Sequence, residues 1–132
     1  MLEPLEINGT QPSIEGSVCE ELIAVQYWYA GELDDPANVI HLKFNGTWYR
    51  LYFDHGIIYW RQDDTPPKAF EAKEIDASYR LDDIASSRSL RGKTLHSIQS
   101  EAVRGGSKVT LAFDAGSRIE ITNVNDQTNY TC

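Results

Sequence analysis

The dipeptide Asn45-Gly46 constrains the fold of this chain more than any other feature of its sequence. It lies between two runs of β-branched and aromatic residues, and Asn-Gly is the pair that best tolerates the positive φ angles of a two-residue hairpin turn. A two-residue loop fixes which residues of the two strands face each other, so that one side of the hairpin is apolar and the other is mixed. The predicted pairs are Phe44 with Thr47, Lys43 with Trp48, Leu42 with Tyr49, His41 with Arg50, Ile40 with Leu51 and Val39 with Tyr52.

A second turn follows this hairpin. Asp54-His55-Gly56 interrupts the apolar pattern, and Ile57 to Arg61 resumes it as a third strand. Pro66-Pro67 ends this region, because proline has no N–H to donate to a β ladder. The stretch 39–61 is therefore predicted to be a three-stranded antiparallel meander.

The rest of the chain shows the pattern of further strands and one helix. Apolar or alternating runs bounded by Gly, Pro and Asp predict strands. Residues 81–90, with acidic residues in the first turn and basic residues in the last, predict a helix. The predicted strands outside the meander are 20–29, 93–103, 108–113 and 118–123, with a loop at 30–38. Such a chain is mainly β, and its meanders are predicted to form a sandwich or a partly open barrel.

Length and composition predict a single β-rich domain at 18–132, preceded by a loosely ordered, polar arm at 1–17. The sequence has no apolar run long enough to cross a bilayer, and its first residues do not resemble a signal peptide. We therefore expect a cytoplasmic protein with no membrane partner. Cys19 and Cys132 are expected to be free thiols in that compartment.

The charge of the chain argues against nucleic acid as the partner. Twelve Lys and Arg stand against twenty Asp and Glu, a formal net charge of −8, whereas phosphate binding depends on clustered cations. The paired acidic residues fall where turns and helix starts are predicted, which is ordinary turn chemistry. We therefore expect a protein partner, or a second copy of the chain, rather than DNA or RNA.

Two parts of the chain share a short pattern. Residues 51–56 read LYFDHG and residues 111–116 read LAFDAG, and each pattern takes a predicted strand into an Asp-x-Gly turn. The match predicts an internal repeat of two meander units, 18–62 and 93–124. The alternative is that a common type of hairpin turn occurs twice by chance, since short strand-and-turn patterns often match in unrelated segments.

Comparison of the two units singles out one surface of the first. Positions predicted to point inward keep their apolar character, Tyr59 being matched with Ile119, whereas the outward positions differ. The outward residues are Trp48, Arg50, Tyr52, Ile58 and Trp60 in the first unit, and Lys108, Thr110, Ala112, Arg118 and Glu120 in the second. Because aromatic side chains and Arg often anchor interfaces, the first set predicts a binding surface. The alternative is that residues 67–90, the arm or a second copy covers it.

No catalytic, metal-binding or cofactor-binding motif is present. His55 beside Asp54 is the one pair with catalytic character, but Ala115 takes its place in the second unit. We therefore predict no catalytic residue, no metal and no cofactor, and a function in protein binding or self-association through strands 39–61. The alternatives are a small hydrolase or ligand-binding barrel, a structural subunit, and an immunity-type inhibitor of a basic toxin, a class that the chain is similar to in size and charge.

Overall fold

The computed structural model describes residues 3–132 and contains two β-sheets. Its strands are β1 (Ile7–Asn8), β2 (Cys19–Tyr29), β3 (Glu32–Phe44), β4 (Thr47–Asp54), β5 (Ile57–Asp63), β6 (Phe70–Ala72), β7 (Ala77–Asp83), β8 (Leu95–Val103), β9 (Gly106–Phe113), β10 (Arg118–Val124) and β11 (Gln127–Thr131), and its one α-helix is α1 (Ile84–Ser87). The seven-stranded sheet has the order β1-β5-β4-β3-β2-β7-β6, and the four-stranded sheet has the order β11-β10-β9-β8. Neighbouring strands are antiparallel, except that β1 is parallel to β5.

The two sheets pack against each other through one apolar core. The large sheet contributes Leu22, Ala24, Ile40, Leu42, Phe44, Leu51, Phe53, Ile58 and Trp60, and the small sheet contributes Leu95, Ile98, Val109, Leu111, Phe113, Ile119 and Ile121. Burial alternates along the strands, and in β9 every second side chain is buried, because successive side chains of a strand point to opposite faces. The prediction of a mainly β fold is confirmed, in the form of a sandwich rather than a closed barrel.

The hairpin around Asn45-Gly46 has the predicted register. The ladder between β3 and β4 contains five of the six predicted pairs, from Ile40 with Leu51 to Phe44 with Thr47. Asn45 and Gly46 both have positive φ, 53° and 73°, as a two-residue turn of this kind requires. The turn and the apolar pattern of its strands therefore agree.

The turn between β4 and β5 is one residue shorter than the sequence interpretation assumed. Only His55 and Gly56 form it, both with positive φ, and Asp54 already pairs with Ile57. A shift of one residue moves every side chain of a strand to the other side of the sheet. The predicted outward position of Ile58 and Trp60 is therefore wrong: they are 0 % and 1 % exposed in the core.

The corresponding turn of the second unit is longer. Residues 114–116 form a three-residue turn in which Ala115 has a positive φ of 57°, and the N–H of Phe113 donates to the carbonyl of Ser117 at 2.7 Å. Leu111 consequently pairs with Ile119, whereas Leu51 pairs with Trp60. The match of Tyr59 with Ile119 is therefore wrong, since Trp60 takes the inward position. The internal repeat itself stays a prediction.

The segment 30–38, which the sequence analysis assigns to a loop, is mostly strand. Ala30-Gly31 is a two-residue turn with positive φ at both residues, and β3 begins directly after it. Between the pairs Val25–Val39 and Tyr27–Asp35, three residues of β3 face one residue of β2. Pro36 lies in this bulge, a place where a strand can hold a residue without an N–H.

The predicted helix at 81–90 is reduced to the four residues of α1. Residues 77–83 form β7 and pair with β2, so tertiary pairing overrides the helical preference of this segment. Asp83 is not in the first turn but precedes it, and its carboxylate accepts a hydrogen bond from the N–H of Ser86 at 3.1 Å. It is the N-cap of α1.

The N-terminal segment contacts the sandwich both by strand pairing and by core packing. The two residues of β1 pair with Ile58 and Tyr59, and Ile14 is 1 % exposed in the core. Met1 and Leu2, which begin the predicted arm, lie outside the described residues, and the division into arm and domain stays a prediction.

Two further observations concern the compartment. Cys19 is buried and Cys132 is exposed, and both are free thiols. Within residues 3–132 no helix is long and apolar enough to cross a membrane. A cytoplasmic location stays a prediction.

Replacing Trp60 by Ala tests the corrected register of β5. Because Trp60 is fully buried and its neighbour Tyr59 is only partly buried, we expect Trp60→Ala to lower the free energy of unfolding by about 3–5 kcal/mol. Tyr59→Ala should cost about 1 kcal/mol, the value of a lost aromatic pair. Denaturant unfolding of both variants measures the two losses. If Tyr59→Ala were the more damaging change, the two-residue turn would be incorrect.

Candidate functional site

One side of the seven-stranded sheet faces away from the core and carries most of the predicted binding residues. The cross-strand pairs place alternate residues of β2, β3, β4, β5 and β7 on this side. They are Glu21, Ile23, Val25, Tyr27, Val39, His41, Lys43, Trp48, Arg50, Tyr52, Tyr59, Arg61, Asp63, Tyr79, Leu81 and Asp83. We call this surface the outer face.

Aromatic rings on β4 and β5 are each accompanied by a cation. Tyr52 and Tyr59 face each other across the ladder with their rings stacked, 5.0 Å between centroids and 3° between planes. The guanidinium carbon of Arg50 lies 5.9 Å from the Tyr52 ring and that of Arg61 lies 5.6 Å from the Tyr59 ring. A similar pair brings Lys43 Nζ to 5.8 Å from the ring of Trp48. These distances are within the range of attractive cation–π contacts.

Three ionisable groups meet at the centre of the outer face. Arg50 Nε lies 2.9 Å from Asp63 Oδ2, although its N–H does not point at that oxygen, and His41 Nδ1 lies 3.8 Å from the same atom. His41 is 8 % exposed. Burial lowers the pKa of His41 and outweighs the opposite effect of the Asp63 carboxylate. His41 is therefore held towards its neutral form.

The structure brings together three of the five predicted site residues. Trp48, Arg50 and Tyr52 share the outer face, whereas Ile58 and Trp60 lie in the core. Sequence reasoning missed Tyr59 and Arg61, which occupy the outward positions of β5. The sequence does contain a signal for the correct positions. Ile58 and Trp60 are more apolar than Tyr59 and Arg61, with which they alternate along β5.

The corresponding outward side of the four-stranded sheet is polar. Lys108 lies between Glu101 and Glu120, with Nζ 3.2 Å from a carboxylate oxygen of each, and Thr110 and Thr122 continue this side. These groups satisfy one another or face water. The aromatic character is therefore specific to the outer face of the large sheet.

A surface cleft of about 460 Å³ lies at the end of the sandwich where hairpin turns meet the N-terminal segment. Glu3, Glu6, His55 and Arg104 line it, and all four are exposed. His55 Nδ1 lies 2.7 Å from Asp54 Oδ1, and this hydrogen bond is the main reason that the pKa of His55 is raised. Ser107 also lines the cleft, but it is buried and its hydroxyl donates to the carbonyl of Gly56 rather than to His55.

Among residues 3–132, Asp54, His55 and Asp126 form the group whose positions could suit a metal ion, with ligand atoms within 4.8 Å of one another. Their hydrogen bonds have a structural explanation, since the Asp126 carboxylate accepts the backbone N–H of His55 at 2.9 Å. All three are exposed, and exposed Asp residues at turns commonly bond the backbone in this way. Packing of the turns accounts for the cluster.

The lowered pKa of His41 predicts how stability depends on pH. Because the unfolded chain takes up this proton at a higher pH than the folded protein does, the contribution of His41 is present above about pH 6.5 and is lost as the pH falls through its folded pKa. His41→Gln should remove this loss. His55→Gln is the matched control, since the raised pKa of His55 gives a contribution of opposite sign, lost as the pH rises. Urea unfolding over the acidic pH range measures the free energy of unfolding of both variants. If this free energy changed with pH in His41→Gln as it does in the wild type, the effect assigned to His41 would be contradicted.

Comparisons with known proteins give no relative for this chain. Its sequence matches no family model and no curated protein, and its structure matches no solved structure. The case for a function therefore rests on the geometry of the outer face and of the cleft.

Proposed function

We propose that this protein is a binding module that recognises a protein partner through the outer face. Trp48, Tyr52 and Tyr59 are the apolar anchors, and Arg50 is the directional polar contact. Aromatic residues and Arg are the types that contribute most to binding energy at protein interfaces. The module works by binding and not by catalysis.

One observation carries this proposal: the stacked Tyr52–Tyr59 pair, with its cations, lies on a sheet face that no second layer covers. Every strand of residues 3–132 belongs to one of the two sheets, and the four-stranded sheet packs on the opposite side of the large one. At the β7 margin of the outer face, Tyr79 and Leu81 are 37 % and 41 % exposed. Apolar area is therefore available for a partner.

The intramolecular covers considered from the sequence take other positions. Residues 77–83 extend the large sheet at its edge as β7 instead of lying across the outer face. In the N-terminal segment, β1 extends the opposite edge and Ile14 enters the core. Fully burying an aromatic side chain stabilises by about 1.5–3 kcal/mol, so a partner that covers this face gains appreciable binding energy.

The alternatives have weaker support. A hydrolase or ligand-binding barrel would use a deep pocket with converging polar groups, whereas the charged side chains at the cleft near His55 are exposed, and no Phe, Tyr or Trp of residues 3–132 lines it. An immunity-type inhibitor of a basic toxin needs an acidic binding surface, whereas on the outer face the carboxylates are balanced by Lys43, Arg50 and Arg61. A structural subunit differs from a binding module in that it would not be found as a monomer.

Affinity purification with matched baits tests the proposal. The double variant Trp48→Thr/Tyr52→Ser removes two anchors from a surface that is already partly exposed, and should lower the stability by only about 1–2 kcal/mol. We expect a protein captured by the wild-type bait to be lost with this variant. Binding of the purified protein to wild type and variant then gives the change in affinity, expected to exceed about tenfold for two anchor residues.

The control bait is Thr110→Ser/Thr122→Ser, on the polar side of the four-stranded sheet. It should retain whatever the wild-type bait captures. Equal capture by all three baits would show that the outer face is not the binding surface. Sedimentation of the wild type over a range of concentrations separates the remaining alternative, since an obligate subunit would not sediment as a monomer.

A further inference from the structure

Both edges of the seven-stranded sheet are blunted. A strand at the edge of a sheet presents unpaired N–H and C=O groups that can pair with another chain, and short strands and charged side chains hinder such pairing. The edge strands β1 and β6 are two and three residues long. The part of β7 beyond β6 carries Arg80, Asp82 and Asp83. Beyond β1, the Arg61 guanidinium donates to the carbonyl of Trp60 on β5. Neither edge therefore offers a long, free strand.

The four-stranded sheet has one blunted edge and one open edge. At the blunted edge, β11 packs against β3, and the Gln127 side chain donates to the carbonyl of Asp34 at 3.0 Å. At the other edge lies β8, which has nine residues. Within residues 3–132, Leu95 makes backbone hydrogen bonds with Gly16 and Ser17, whereas the rest of β8 makes such bonds with β9 alone. The long edge of β8 is therefore open.

β8 also lacks the residues that usually protect an open edge. It contains no Pro, Gly, Lys or Arg, and its one acidic residue is Glu101, whose carboxylate lies 3.2 Å from Lys108 Nζ on β9. A bulge interrupts the ladder between Leu95 and Ser97, but the pairing with β9 is regular from Ser97 to Val103. A long, regular and weakly charged edge of this kind is a template for another strand.

We infer that β8 pairs antiparallel with β8 of a second copy of the chain, with Ser100 opposite Ser100 on the two-fold axis. The pairing joins two four-stranded sheets into one sheet of eight strands. Ser100 is the midpoint of the regular stretch 97–103, so in this register all seven residues of the stretch face a residue of the copy. The β8 edge is separate from the outer face, and the inference does not depend on the proposed function.

The side chains of β8 are compatible with those of its copy in this register. On the side away from the core, Gln99 lies opposite Glu101 of the copy, so that an amide N–H can donate to a carboxylate, and both residues are exposed. On the core side, the buried Ile98 lies opposite Ala102 of the copy, so that a large side chain meets a small one. Like charges directly opposite each other are destabilising, and this register opposes none.

Other arrangements fit less well. With Glu101 on the axis, two carboxylates would lie opposite each other. With Gln99 on the axis, the last two residues of β8 would lie opposite the start of the copy's strand, where the bulge interrupts the ladder. A strand of another protein would form the same backbone bonds, but specificity in this kind of recognition comes from side chains, and the one acidic side chain of β8 already lies against Lys108.

The dimer should dissociate on dilution. Seven residues of strand are about 23 Å long and pair through about six backbone hydrogen bonds. Pairing along one edge buries much less than the roughly 1,600 Å² that is typical of a stable complex. We therefore expect monomers at low concentration and dimers at high concentration.

Two substitutions of opposite charge at Gln99 test the inference. Gln99→Glu places a carboxylate opposite Glu101 of the copy and should weaken the dimer, whereas Gln99→Lys places a cation there and should strengthen it. Because the contact occurs twice about the axis, we expect the dissociation constant to change by about fivefold in each direction. Sedimentation from micromolar to millimolar concentration measures it. Gln99 is exposed, so both variants should fold.

The matched controls are Asn129→Glu and Asn129→Lys, which make the same charge changes at an exposed amide on β11, at the opposite edge of the sheet. They should leave the dissociation constant as in the wild type, and so should Trp48→Thr/Tyr52→Ser. Opposite effects of the two Gln99 variants, with unchanged controls, would support the inference.

Three results would overturn it. The first is a wild type and a Gln99→Lys variant that both remain monomeric at millimolar concentration. The second is a dimer that both Gln99 variants weaken, or that the Asn129 variants change equally, because the pairing of Gln99 with Glu101 would then be absent. The third is a dimer that Trp48→Thr/Tyr52→Ser dissociates, which would place the contact between copies on the outer face and leave the proposed function intact.

Discussion

The tight turns that join β3 to β4 and β4 to β5 decide which side chains of these strands enter the core. Ala30-Gly31, Asn45-Gly46 and His55-Gly56 are two-residue turns, and all six residues have positive φ. Asn45-Gly46 and His55-Gly56 fix the register of β3, β4 and β5, because the residues that flank them pair and these ladders have no bulge, whereas bulges change the register between β2 and β3 beyond Ala30-Gly31. One additional residue in either Asn45-Gly46 or His55-Gly56 would exchange the core side for the outer face.

The two sides of the large sheet consequently have different chemistry. The inner side is an apolar layer in which Leu51 and Trp60 pair across the ladder, and it packs on the four-stranded sheet. The outer side combines stacked rings with cations whose apolar stems can lie along the rings. Cations and rings stabilise each other there, and no second sheet of residues 3–132 packs over them.

At the end of the sandwich near the cleft, close packing of the backbone and hydrogen bonds between turns determine where the side chains lie. Gly56 and Gly106 come so close that a Cβ on Gly56 would lie 3.2 Å from Gly106 Cα, and Ser107 Oγ donates to the Gly56 carbonyl at 2.7 Å. Asn123 and Asp126 accept the N–H groups of Gly56 and His55. These bonds join three hairpin turns, and the contact between His55 and Asp54 is a consequence of this packing.

The sequence by itself determined the mainly β class, the hairpin register around Asn45-Gly46 and the membership of Trp48, Arg50 and Tyr52 in one surface, because turn chemistry and side-chain alternation are local. Only the tertiary structure decided that the turn at His55-Gly56 has two residues, that 77–83 is a strand, and that Trp60 is core while Tyr59 is outward. The Asp-x-Gly pattern is compatible with turns of two lengths, and the choice depends on which side chain the opposite sheet can bury. Local sequence signals do not distinguish the two turn lengths, whereas packing against the opposite sheet does.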